Sequence, residues 1–282
     1  MIDAPPAVTP LNPDGTVKTP SAIVTTGGDD ATLLSRLFAA IDRHLRVVAI
    51  VADPSMPDDV LRLIVKDRPE AVVVKTSRPH LDDLIVDVLD RSVEYLINTG
   101  YNSIIKPRIL DSLKIGALNL HPSALPLNRG CHHSFWGIMD ETMHGATFHW
   151  MDSGLDTGDI IDQITFPDDG VMAAAEIQRR AEDLFPELLH RNLGRVIAGT
   201  ASRRPQGDGS YHAKKDIRTA STLDWDQTVT VGHIVKLARA TCAKGHGFFV
   251  RKGDRTFVIR AQVGLVAEEL TREVPQVQGT KP

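Results

Sequence analysis

Cysteine is almost missing: Cys131 and Cys242 are the two thiols in 282 residues. Two thiols make neither a disulfide framework nor a four-thiolate zinc site, and a reducing cytoplasmic setting is expected. Aromatic residues amount to 5%, so a core has to be built from Val, Ile, Leu and Ala. No apolar run approaches the ~18 residues of a membrane span. The Pro-rich first 20 residues hold no apolar stretch of signal-peptide type, so no membrane partner is expected. A charge excess is missing too. The 32 basic and 36 acidic residues leave a formal −4, which excludes a generally basic, nucleic-acid-coating protein.

What is present is a regular alternation. Short β-branched runs, Ser21–Thr25, Arg46–Val51, Ala71–Val74 and Tyr95–Asn98, are separated by stretches with helical spacing. Those stretches carry Leu33, Leu34, Leu37 and Ile41, then Pro57–Asp67, then Leu81, Leu84, Ile85 and Leu89. Continuous Val/Ile runs suit strands buried on both faces. The pattern predicts an α/β fold, a Rossmann-like doubly wound and mostly parallel sheet, with ligands at the carboxyl ends of the strands. Gly27-Gly28, Thr99-Gly100 and Asn119–Gly130 would lie there. Further strands are expected at Ala117–Leu120, His144–Met151 and Ile160–Phe166, and one long amphipathic helix from Val171 to about Ala198. Ala201–Gly209 reads as a linker. A small C-terminal α+β module follows, with a helix at Val231–Ala240 and a hairpin turning at Lys252-Gly253-Asp254. The expected division is a tail at 1–20, a catalytic domain at 21–200 and the module at 201–282.

The chemistry concentrates in two stretches. Asn119 and His121 are two residues apart, so on an extended chain they point the same way. Pro122 and Pro126 stiffen the loop that follows. Asp156 sits in a Gly-bracketed turn, Gly154-Leu155-Asp156-Thr157-Gly158. If that turn folds onto the end of the Asn119/His121 strand, amide, imidazole and carboxylate converge. Such a trio suits acyl transfer without a covalent intermediate: amide and imidazolium hold a tetrahedral oxyanion, and the carboxylate supports the imidazolium.

These stretches, Asn119-Leu120-His121-Pro122-Ser123-Ala124-Leu125-Pro126 and Gly154-Leu155-Asp156-Thr157-Gly158-Asp159-Ile160-Ile161, resemble the 10-formyltetrahydrofolate-dependent formyltransferases. The clear resemblance covers about residues 70–200. It implies an enzyme with Asn119, His121 and Asp156 as its catalytic trio and 10-formyltetrahydrofolate as co-substrate, with no metal. It further implies a folate site formed by Asn98, Gly100, Tyr101, Ser123, Leu125, Pro126, Asp152 and Gly154. Ala124 stands where the family has Leu, a departure that would alter packing beside the folate. Asn128–Trp136 and the order of C-terminal elements resemble the sugar N-formyltransferases most. The acceptor implied is a nucleotide-linked amino sugar, with Arg129, His132 and Trp136 as its contacts and Lys106 and Arg108 as further basic candidates. A homodimer is one assembly open to such a chain.

The same residues admit other readings. Leu155-Asp156-Thr157-Gly158 is half of an aspartic-protease site, but that chemistry needs two carboxylates and no second Asp-Thr-Gly occurs. His121, Cys131, His132, His133, His144 and His149 have no metal-ligand spacing. Glycinamide ribonucleotide enzymes cradle a phosphate after the first strand, where this chain has Asp29-Asp30. Those carboxylates repel an anion or cap the helix. The acidic chain and short, mixed-charge module argue against a tRNA acceptor. Another small amine, a siderophore or antibiotic precursor, stays open, as does hydrolysis of the formyl-folate; the complete Asn/His/Asp trio argues against a non-catalytic binding module, since pure binding needs no such arrangement.

Overall fold

The structure is a computed structural model and describes residues 18–76, 92–242 and 247–264. A seven-stranded sheet has the spatial order β3-β2-β1-β4-β5-β7-β8. Its strands are β1 (Ser21–Thr26), β2 (Arg46–Ala52), β3 (Val72–Lys75), β4 (Tyr95–Thr99), β5 (Gly116–His121), β7 (His144–Trp150) and β8 (Ile160–Phe166). The first five are mutually parallel, and β7 and β8 are added antiparallel. The expected helix around Leu81–Leu89 lies outside the described residues.

Alternation along β1 shows why the sheet is covered on both faces. Ala22 and Val24 pack with α1 (Ala31–Asp42) and α6 (Phe185–Ile197), through Leu34, Leu37, Leu188 and Leu193. Ile23, between them, packs on the other face with Ile105, Leu113 and Ile109 of α3 (Pro107–Ser112). α2 (Asp58–Val65) buries Val60 and Ile64 on the first face. Strand order reverses between β1 and β4, because β2 and β3 are laid to one side and β4 to the other. The loops leaving the two strands therefore part there and open a crevice at their carboxyl ends. A Cβ on Gly27 would lie 2.4 Å from Gly100 O, so this crossing needs a glycine.

Two expectations are corrected. The single helix over 171–198 is two, α5 (Ala174–Glu182) and α6 (Phe185–Ile197). Pro186 lacks an N–H, and its ring would meet the carbonyl of Glu182, so the helix restarts. Residues 171–172 are held outside the helix by Asp169, whose carboxylate accepts from Val171 N and Met172 N at 2.8 Å. Ala201–Gly209, read as a linker, is bound along its length. Arg204 and Ile160 exchange backbone hydrogen bonds of 2.8 and 2.9 Å, and the Arg203 guanidinium stacks 4.3 Å over the Trp150 ring.

The chain then returns to the site loop. Tyr211–His212 (β9) pairs in parallel with Arg129–Gly130 (β6), a pairing not foreseen in the Asn119–Gly130 segment. Beyond it lie α7 (Asp216–Ala220), β10 (Thr222–Asp224), α8 (Val231–Thr241) and the expected hairpin of β11 (Phe248–Lys252) and β12 (Arg255–Ile259). α8 is fastened back by buried Arg239, which pairs with Asp168 and donates to Met172 O at 3.0 Å. Among the described residues no helix is long and apolar enough to cross a membrane.

Candidate active site

The carboxyl end of β5 presents Asn119 and His121 on one face, both buried. Asn119 stands in register with Asn98 of β4 and His149 of β7. Its Nδ2 lies 3.0 Å from His149 Nε2 and 3.3 Å from Asp156 Oδ1. Its Oδ1 accepts from Asn98 Nδ2 at 2.9 Å. His121 Nδ1 faces Asp156 Oδ2 at 3.8 Å, a charge contact rather than a hydrogen bond.

Asp156 reaches this place through a closely held turn between β7 and β8. Gly158 passes so near the end of β7 that a Cβ would sit 2.0 Å from Trp150 O. Asp152 Oδ1 accepts from Gly154 N at 3.0 Å and Thr157 Oγ1 at 2.6 Å. From outside, Gln206 Nε2 donates to Asp156 O (2.9 Å) and Gly158 O (2.7 Å). Asp156 itself adopts φ 56°, which Asp tolerates better than most residues. Its Oδ2 accepts from Gly130 N at 2.9 Å. Burial works to raise the Asp156 pKa, but His121, His149 and the Gly130 N–H outweigh it, so the carboxyl titrates below its usual 3.8.

Two more histidines surround the trio. Burial, opposed by the Asp156 charge, pushes His149 down to about 4. Burial, with His121 second, pushes His133 down to about 3; its ring meets His121 edge-on at 5.3 Å, and its Nε2 is held by Gln178 of α5. Both are neutral at pH 7. A histidine whose folded pKa is depressed lets the unfolded chain bind the extra proton first. Stability should therefore fall as pH drops from 6.5 towards 4. At 1.36 kcal/mol per pKa unit, His149 alone contributes up to about 3 kcal/mol to that loss. Urea midpoints between pH 7 and pH 4.5 should decline, less steeply in His149→Gln. A flat or rising profile would contradict these assignments.

The other expected residues divide into those at the crevice and those engaged elsewhere. Asn98 and Gly100 lie at its rim, and Asn98 Oδ1 already accepts from Thr25 Oγ1 and Tyr101 N. Tyr101 is buried in the core and its hydroxyl donates to Thr76 O at 2.8 Å. Ser123 Oγ donates to Leu127 O (3.0 Å). Leu125 is buried between Thr147 Oγ1 and Gln163 Nε2. Pro126 O lies where a Cβ on Gly209 would be 2.0 Å away, so the end of the 201–209 segment packs directly against this loop. Arg129 is tied to Gln206 Oε1 (2.9 and 3.1 Å) and Gly207 O (3.0 Å). His132 is exposed with φ 59° at the start of α4 (His133–Met139). Trp136 stacks on His212, ring centroids 3.8 Å apart. Lys106 and Arg108 are exposed at the start of α3.

Sequence reading missed His149, His133 and Gln206. In the sequence His133 and His149 stand out only as members of a scattered His/Cys set without metal-ligand spacing. Among the described residues no three His, Cys, Asp or Glu side chains are grouped to hold a metal ion.

The family model described as "Formyl transferase" matches residues 22–193. The chain belongs to this family. It is a formyltransferase, and the match reaches back to residue 22, well before the motifs that suggested it. A methionyl-tRNA formyltransferase of Pelobacter propionicus is 28% identical over 239 residues, 75% of each chain. A sugar N-formyltransferase from Shewanella sp FDAARGOS_354 superimposes with a TM-score of 0.71 at 16% identity, covering 88% of this chain and 99% of that one. An N-formyltransferase from Helicobacter canadensis, in complex with folinic acid and dTDP-3-aminofucose, gives 0.62 at 20% identity, covering 82% of this chain and 84% of its own. This formyltransferase therefore shares its fold with those enzymes past the end of the matched region.

Proposed function

We propose that this formyltransferase moves the formyl group of 10-formyltetrahydrofolate to the amine of a nucleotide-linked amino sugar. The observation that carries the chemistry is the meeting of Asn119, His121 and Asp156 at the carboxyl end of β5. The amine nitrogen attacks the formyl carbon and forms the new C–N bond. Asn119 Nδ2 and protonated His121 receive the negative charge that grows on the formyl oxygen. Asp156 stabilises the imidazolium and takes the ammonium proton through water. The tetrahedral intermediate then breaks its bond to folate N10, which leaves with a proton. The folate lies along the rim formed by Asn98, Gly100 and the Ser123–Pro126 loop. Residues 21–200 form the catalytic unit in this reading, and 201–282 a small C-terminal α+β module.

Two observations favour the sugar acceptor. The Helicobacter canadensis enzyme, of the same fold, holds a folate together with a nucleotide-linked amino sugar. The N-terminus of α1 is occupied by its own Asp30, whose Oδ1 accepts from Leu33 N at 2.9 Å. A carboxylate there takes the place of the phosphate that glycinamide ribonucleotide would bring. The sequence relatives favour methionyl-tRNA as the second reading. A chain of net charge −4 offers little for the many phosphate contacts tRNA requires.

Side-by-side kcat/KM values decide the acceptor. Nucleoside-diphosphate 3-amino and 4-amino sugars should exceed glycinamide ribonucleotide and methionyl-tRNA by at least about tenfold, 1.4 kcal/mol. A higher value for either of the latter two would reject the sugar reading and leave formyl transfer standing. The trio needs no Lewis acid, so dialysis against a strong chelator should leave the rate unchanged. Activity lost to the chelator and restored by zinc would overturn the mechanism.

A further inference from the structure

An asparagine amide offers an oxygen or an NH2 of nearly the same shape, and its hydrogen-bond partners decide which points where. At Asn119 that choice matters. NH2 towards the formyl oxygen stabilises the developing charge, whereas the amide oxygen would oppose it.

Four neighbouring strands each contribute one polar side chain at the same level: Thr25 on β1, Asn98 on β4, Asn119 on β5 and His149 on β7. Their hydrogen bonds form a chain whose ends are backbone groups with no choice of role. At one end Tyr101 N can only donate, and it donates to Asn98 Oδ1 at 3.1 Å; Thr25 Oγ1 donates to the same oxygen at 2.9 Å. That turns Asn98 Nδ2 towards Asn119 Oδ1, 2.9 Å away. At the other end Trp150 O can only accept, and it receives the proton on His149 Nδ1 at 2.7 Å. His149 Nε2 is then bare, because burial keeps the ring neutral, and it accepts one Asn119 Nδ2 proton at 3.0 Å. The second Nδ2 proton points at Asp156 Oδ1 at 3.3 Å, the longest contact Asn119 makes and the one an incoming oxygen can replace.

We propose that Asn98 and His149 are positioning residues: through the row Thr25–Asn98–Asn119–His149 they fix the Asn119 amide with its NH2 towards the reacting formyl oxygen. Asn98 therefore acts through Asn119 rather than as a folate contact alone. The inference rests on the formyl-transfer reading.

Asn98→Asp tests it. The two replacements for the amide atoms have the same shape, and the carboxylate still accepts from Tyr101 N and Thr25. It has no proton for Asn119 Oδ1, so the Asn119 amide turns over. A protonated carboxyl restores the donor. The ratio of wild-type to variant kcat should therefore be small near pH 5, rise with pH, and reach about 10²-fold by pH 9, the lower end of the range for loss of one oxyanion donor. Asn98 also borders the folate, so the diagnostic readout is the pH dependence of the kcat ratio at saturating folate rather than the folate KM. His121, Asp156 and His149, the titratable groups facing Asn119, are present in both proteins and cancel in the ratio. A variant within threefold of wild type throughout, or a deficit that does not change with pH, would overturn the proposal. Wild-type protein lacking formyl transfer would instead reject the functional reading beneath it. If Asn98→Asp does not fold, 15N spectra of histidine-labelled wild type answer the same question. His149 should carry its proton on Nδ1 and keep Nε2 bare from pH 6 to 9; a proton on Nε2 would overturn the proposal.

Discussion

Asp156→Asn is expected to lower kcat by about 10²–10⁴-fold while leaving the fold intact. The replacement is isosteric, and an amide oxygen can still accept from Gly130 N, so the turn keeps its 2.9 Å tether. What disappears is the negative charge 3.8 Å from His121 Nδ1. Without it the imidazolium loses its counter-charge, and the ammonium that the amine becomes on attack loses its proton acceptor. Because the Asp156 pKa is depressed, the wild-type carboxylate persists to below pH 3.8, and its titration does not set the acid limb of the rate. Circular dichroism would establish the fold and folate absorbance the turnover. A rate within threefold of wild type would remove Asp156 from the mechanism.

Gly158→Ala should damage both stability and activity. The new Cβ would fall 2.0 Å from Trp150 O and 2.8 Å from Trp150 C, backbone atoms that no rotamer change can move. The turn has to lift away from β7. That weakens the Gln206 bond to Gly158 O and the 2.9 Å bond from Trp150 N to Asp159 O, and carries Asp156 off His121. Overpacking of this kind costs about 1–3 kcal/mol, or several degrees in Tm, and a carboxylate displaced by ~1 Å loses about 10²-fold in rate. Gly207→Ala, with nothing within 4 Å of its Cβ, is the control and should change neither. Equal behaviour of the two variants would show that the turn is not held by this contact.

Much of this architecture was legible in the sequence, for local reasons. β1 and β2 are dense in β-branched residues, and a strand buried on both faces needs little else to specify it. Asn119 and His121 share a face because of strand periodicity, and Asp156 stands between glycines that a tight turn requires. The misses were non-local. His149 joins Asn119 because β7 pairs antiparallel with β5 after the excursion over 122–143, and no pattern in that excursion fixes the register. Gln206 reaches both Arg129, 77 positions earlier in the chain, and the Asp156 turn, contacts that no local pattern announces. The break between α5 and α6 was visible in Pro186. The hydrophobic spacing of Ile177, Ala181, Leu184, Leu188 and Leu189 runs through the break without a change of phase and concealed it.

The most direct test of formyl transfer at this site follows the carbon itself. The protein is incubated with 10-formyltetrahydrofolate labelled with 13C in the formyl group, with and without a nucleoside-diphosphate amino sugar, and the products are analysed by mass spectrometry. The account predicts that the label moves to the sugar nitrogen, that tetrahydrofolate appears in equal amount, and that both depend on the acceptor and on Asp156. Label released as formate at the same rate without any amine would contradict it and identify a hydrolase.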